Sequence, residues 1–120
     1  MTKKTLVIGA SDNRARYSYI AVHRLRSHNH PVVAIGKKNS EVADVKIEKD
    51  KLPFTDVDTV TLYLNPSRQK EYYDYILSLK PRRIIFNPGT ENEELASLAR
   101  LHNIQVLEAC TLVMLATNQY

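Results

Sequence analysis

The residues with most chemistry to offer in this chain sit directly behind short apolar runs. Gly9-Ala10-Ser11 follows Leu6-Val7-Ile8, and Asp12, Asn13, Arg14 and Arg16 come before a helix-like stretch begins. Gly9 permits a sharp turn and lets a ligand approach the backbone closely. Ser11 offers a hydroxyl, Arg14 and Arg16 offer charge-assisted hydrogen bonds, and a helix starting behind them offers unpaired N–H groups. Such a set suits a phosphate. It is a reduced form of that signal, because the Gly-x-Gly-x-x-Gly fingerprint of dinucleotide sites is absent.

A second run, Ala34-Ile35-Gly36, leads into Lys37-Lys38. A site for NAD usually places an acid there, to accept hydrogen bonds from ribose hydroxyls. Two lysines favour a phosphorylated ribose instead, as in NADP (2′-phosphate) or coenzyme A (3′-phosphate). Two further runs end in Asn65-Pro66 and Asn87-Pro88. Proline has no N–H, so an apolar part of a ligand can lie across it without burying an unpaired donor. Pro88-Gly89-Thr90 aims another helix start at the same region, but Glu91, Glu93 and Glu94 would repel a phosphate. That start suits an amide, a hydroxyl or an amino group. Behind the last run stands Cys110, expected to be a buried, inert thiol, since nearby Glu108 opposes a low thiol pKa. His23, His28, His30 and His102 all fall in or beside helical segments and are expected on surfaces or helix faces, with no metal-site spacing.

Positioning these groups requires strands and helices in alternation. Apolar, β-branched runs at Thr5–Ile8, Val32–Ile35, Val57–Leu64, Arg83–Phe86 and Ile104–Leu107 predict strands covered on both faces. A short strand at Val45–Ile47 interrupts an otherwise irregular stretch. Tyr17, Ile20, Ala21, Leu25 and His28 share one face of a first helix, and Tyr72, Tyr73, Ile76 and Leu77 form the stripe of a second. Leu95, Leu98, Ala99 and His102 mark a third, with Thr90 and Glu93 at capping-box spacing. Asn65-Pro66 reads as an N-cap with proline at the first helical position. The alternation predicts an α/β, Rossmann-like open parallel sheet of about five strands with helices on both faces. Ligands of such sheets bind beyond the carboxyl ends of the strands.

At 120 residues, 43% hydrophobic and 25% charged, the chain fits one domain over residues 1–120. The net charge of +4 fits an anionic small molecule. Its basic residues are dispersed without an aromatic stacking platform, which argues against nucleic acid. One cysteine excludes an internal disulfide. The apolar run before Ser11 is too short for a secretory segment or a membrane span, so a cytoplasmic chain with no membrane partner is expected. Tyr72, Tyr73 and Tyr75 exceed what one core needs and raise the expectation of a protein partner, a second copy of the chain included.

Taken in order, Val7-Ile8-Gly9-Ala10-Ser11, Arg16-Tyr17-Ser18-Tyr19, Asn87-Pro88-Gly89 ahead of Glu93-Glu94, and Cys110 resemble the small stand-alone CoA-binding domain family. That family is related to the N-terminal nucleotide-binding domain of the succinyl-CoA synthetase α subunit. The resemblance implies a five-stranded parallel sheet with CoA or an acyl-CoA across the strand ends. It places Gly9, Ala10 and Ser11 at the pyrophosphate, supported by Arg16 and Ser18, and Lys37 at the phosphorylated ribose. Asn65 and Pro66 would border the nucleotide or pantetheine arm, with Pro88 and Gly89 on the same crevice. Two positions depart from the family pattern: Ile35-Gly36 replaces a common Asn-Pro, and Glu108-Ala109-Cys110 replaces an Asp-containing ending. The synthetase relatives work beside further domains that bring the phosphorylated histidine and bind nucleotide triphosphate. This chain has neither, so binding without catalysis is expected. The alternatives are an NADP-binding, reductase-like domain and a protein-interaction module that has lost its ligand.

Overall fold

A computed structural model describes residues 1–120. The apolar runs form one seven-stranded sheet from β1 (Thr5–Ala10), β2 (Val32–Gly36), β3 (Ser40–Val42), β4 (Val45–Glu48), β5 (Thr59–Leu62), β6 (Arg83–Phe86) and β7 (Gln105–Glu108). Their spatial order is β3-β4-β2-β1-β5-β6-β7. Every neighbouring pair is parallel except the β3–β4 hairpin. The chain therefore builds outward from β1 in one direction and then in the other. The point of reversal lies over the carboxyl ends of β1, β2 and β5, where an open α/β sheet leaves a crevice.

The connections are α1 (Tyr17–Ser27), α2 (Pro66–Gln69), a single 3₁₀ turn (Lys70–Tyr72), α3 (Tyr73–Leu79), α4 (Glu93–Leu101) and α5 (Thr111–Ala116). On one face of the sheet, Val22 and Leu25 of α1 and Leu115 of α5 pack with Val7, Ala34, Val45 and Ile47. On the other, Ile76 of α3 and Leu95, Ala96 and Ala99 of α4 cover Leu6, Ile8, Val60, Leu62, Ile84 and Phe86. Burying a side chain of this size contributes roughly 1.5–3 kcal/mol, so these two layers hold the strand ends in register.

The sheet has two strands more than its five long apolar runs. β3 is only Ser-Glu-Val, yet Val42 meets Val45 across the hairpin and both are buried, which fixes the pair. The run Val57–Leu64 narrows to Thr59–Leu62, because Val57 and Leu64 reach the core from the flanking loops. The buried stripe of α1 is Ser18, Ala21, Val22 and Leu25, while Tyr17 is 72% exposed and His28 lies past the helix end. Both stripes have helical spacing, and a serine in the buried one conceals it. Asn92, not Thr90, caps α4: its Oδ1 accepts from the Glu94 and Leu95 amides at 3.1 and 3.3 Å. The Thr90 hydroxyl donates to the Asn87 carbonyl instead. His30 is buried rather than superficial, with Nδ1 accepting from the Lys3 amide at 2.9 Å and its ring against Tyr120. No helix is long and apolar enough to cross a membrane.

Candidate functional site

A cleft of about 650 Å³ opens over the carboxyl ends of β1, β2, β4 and β5, a size in the range of ligand sites. Two glycines shape its floor for different reasons. Gly9 has φ +92°, and its backbone turn shifts the register between β1 and β2 so that Ala10 pairs with Gly36. At Gly36 the constraint is space. A Cβ there would lie 2.3 Å from the Ala10 carbonyl oxygen and 2.8 Å from the Ile47 side chain. The departure at Ile35-Gly36 thus has a physical cause: β1 and β4 leave no room for a side chain.

The walls are mainly cationic. Arg16, Lys37, Lys38, Lys49 and Arg68 line the cleft, against the carboxylates of Asp12 and Glu71. Both carboxylates already have partners. Asp12 Oδ2 accepts from Ser40 Oγ at 2.6 Å and lies 3.5 Å from Lys38 Nζ, contacts that hold its pKa below the ordinary value. Glu71 lies 3.8 Å from Lys51 Nζ. Arg16, Lys37, Lys49 and Arg68 remain without an ion-pair partner.

Backbone donors add to this field. α1 begins at Arg16 with no side-chain cap and no acidic residue in its first turn. The amides of Ser11, Asp12, Tyr17 and Ser18 find no backbone acceptor, whereas Asn13 N–H is held by Ser11 Oγ at 3.0 Å. A helix N-terminus of this kind attracts negative charge, by roughly 0.3–1 kcal/mol where exposed. The start of α4 is the opposite case. It carries Asn92 as cap and Glu93 and Glu94 in the first turn, and the Gly89 amide is taken by Glu91 Oε1.

Buried polar side chains hold the loops in place. Gln69 is fully buried, and its Nε2 donates to both the Leu64 and Thr90 carbonyls at 2.8 Å, which staples the loop after β5 to the loop after β6. Asn92 in turn donates to Gln69 Oε1. Asn87 donates to Thr61 Oγ1 and the Leu62 carbonyl and accepts from the Thr111 amide. Tyr63 lines the cleft, but its hydroxyl is buried and unpartnered, while the Thr61 and Thr111 hydroxyls bond each other at 2.8 Å. Burial pushes the Tyr63 phenol far above its ordinary pKa and keeps it neutral.

With this geometry in hand, comparison with known proteins is decisive at the level of family. A family model for a CoA binding domain matches residues 3–116. The chain belongs to that family. A crystal structure of an uncharacterized protein resembles this CoA-binding-domain chain with a TM-score of 0.97 and 48% identity, covering 100% of this chain and 99% of that one. A hypothetical protein from Pyrococcus horikoshii OT3 gives 0.84 at 24% identity, covering 93% of this chain and 80% of that one. A Thermus thermophilus structure gives 0.82 at 18% identity, covering 99% and 91%. Those last two identities make the likeness one of fold. No curated protein sequence gives a significant match.

Within the CoA-binding-domain cleft, Gly9, Ala10, Ser11, Arg16, Ser18, Lys37 and Pro88 lie together on the lining. Asn65, Pro66 and Gly89 do not. The Asn65 carboxamide is occupied as the cap of α2, accepting from the Arg68 amide and the Ser67 hydroxyl, and Pro66 is its first helical residue. Their neighbours Leu64 and Arg68 take the lining positions instead. Lys49 and Arg68 escape a reading of the five long runs. Lys49 follows β4, the short strand expected at Val45–Ile47, and it is that strand's parallel pairing with β2, which spacing does not show, that brings Lys49 to the cleft. Cys110 is partly exposed rather than buried as expected, because it stands at the N-cap of α5, and it is not on the cleft lining.

Proposed function

We propose that this protein binds coenzyme A, or an acyl-CoA, along the carboxyl ends of the sheet and works by binding rather than by catalysis. One observation carries the reading: four cations without ion-pair partners converge with an uncapped helix start on one cleft. CoA offers a diphosphate and a ribose 3′-phosphate, and membership of the CoA-binding-domain family favours it over other polyanions. On this reading the diphosphate meets the turn Gly9–Ser11 and the start of α1. The 3′-phosphate meets Lys37, and the pantetheine arm runs past Leu64 toward Pro88 and Thr90.

Lys37→Glu with paired titrations of CoA and dephospho-CoA tests the assignment. A charge-assisted hydrogen bond is worth about 1.5–3 kcal/mol, so CoA affinity is expected to fall about tenfold or more, with a smaller loss for dephospho-CoA. Equal losses for the two ligands would refute the 3′-phosphate contact. Absence of CoA binding by the unmutated protein would refute the function.

A further inference from the structure

The end of β2 carries Gly36-Lys37-Lys38 and no acid of its own. The fold supplies one from elsewhere. Asp12, on the loop between β1 and α1, reaches Ser40 at the start of β3 and Lys38 in the turn before it. Asp12 lines the same cleft as Gly36 and Lys37.

Both of these contacts are made by Oδ2. Oδ1 has no side-chain partner, and the side chain is 39% exposed. An ionised carboxylate is an acceptor only, with room on each oxygen for two donors. A free acceptor and a free ammonium group lining one cleft are what a ribose bearing one hydroxyl and one phosphate requires. Two lysines alone would take the phosphate at either ribose position. A carboxylate beside them makes the positions unequal, because it accepts from a hydroxyl and repels a phosphate.

We infer that Asp12 reads the ribose: its Oδ1 accepts the 2′-hydroxyl of an adenine nucleotide whose 3′-phosphate lies on Lys37, and so rejects the 2′-phosphate isomer. This rests on the proposed CoA site and adds to it a specificity residue that charge counting would score as unfavourable. Asp12 acts here by direct contact with the ribose hydroxyl, and its bond to Ser40 is not required for that contact.

Adenosine 3′,5′-bisphosphate and adenosine 2′,5′-bisphosphate, which have equal charge and composition, are the probes. Each is titrated as a competitor of CoA. The unmutated protein is expected to prefer the 3′,5′ isomer by about tenfold or more, the factor that one hydrogen bond to a charged group supplies. Asp12→Ala is expected to reduce that preference to about threefold or less, and Asp12→Asn to do so chiefly by admitting the 2′,5′ isomer. Ser40→Ala removes the Ser40 bond but leaves the carboxylate, so it is expected to keep most of the preference. Equal affinity of the unmutated protein for the two isomers overturns the assignment while CoA binding stands. Loss of preference in Ser40→Ala as complete as in Asp12→Ala also overturns it, since Asp12 would then be only a clasp between loops. Failure of CoA itself to bind overturns the proposed function, and this assignment with it.

Discussion

The chain has only three glycines, and each answers to a different constraint, which makes Gly36→Ala the sharpest test of the cleft floor. At Gly36 the added Cβ would sit 2.3 Å from the Ala10 oxygen and 2.8 Å from Ile47 Cγ2. The first neighbour is backbone in the central strand, so relief requires β1 and β2 to separate by about 1 Å, which stretches their hydrogen bonds. Overpacking of this kind costs about 1–3 kcal/mol and occasionally more, and a backbone collision belongs at the upper end. At about 4 °C per kcal/mol for a domain of this size, Tm should fall by about 12 °C. Gly89→Ala is the control, with φ +90° and nothing within 4 Å of the added carbon. It carries only the left-handed strain of about 1–2 kcal/mol. Gly9→Ala combines φ +92° with contacts of 3.0–3.2 Å to Tyr63 and Leu64, and should lose at least as much as Gly89→Ala. Urea unfolding followed by circular dichroism gives the three values. If Gly36→Ala lies within about 1 kcal/mol of the parent, or Gly89→Ala loses more than Gly36→Ala, the described contact between β1 and β2 is wrong.

Two further outcomes follow from buried polar groups. Tyr63→Phe removes a buried hydroxyl that has no partner, so stability should hold or rise by about 1 kcal/mol in urea unfolding, and a loss of that size would reveal an unseen partner. For His30, burial first and then Lys3, His28, Arg83 and the amino terminus lower the imidazole pKa below its ordinary 6.5. The unfolded chain then binds the proton first. Stability should be complete above pH 6.5 and fall as the pH drops below it, until the lowered folded value is passed. His30→Asn keeps an acceptor for the Lys3 amide and should flatten that slope, and parallel pH profiles for the two proteins would count against this account.

The parts of this molecule that sequence exposes are those governed by local periodicity. Five apolar runs located five strands, and their ends located Gly9, Ser11, Lys37 and Pro88 on the cleft. What remained hidden depends on distant partners. Ser40, Glu41 and Val42 are a strand only because Val45 and Ile47 pair with them across a hairpin, and Lys49 reaches the cleft only because β4 then lies parallel to β2. Gln69 lies in Pro66-Ser67-Arg68-Gln69-Lys70, which reads as solvent-facing, yet it is fully buried because two loop carbonyls converge on it. Asn65 shows the reverse: its cap was legible, and the cap is what occupies its side chain. Asp12 lies 28 positions from Ser40, and no spacing rule joins them.

Calorimetric titration of the unmutated protein with CoA, alongside NADPH under the same conditions, tests the central claim most directly. Saturable binding of CoA at one site per chain, with NADPH much weaker, is the predicted result. Heat from NADPH and none from CoA, with the protein folded throughout, would contradict it.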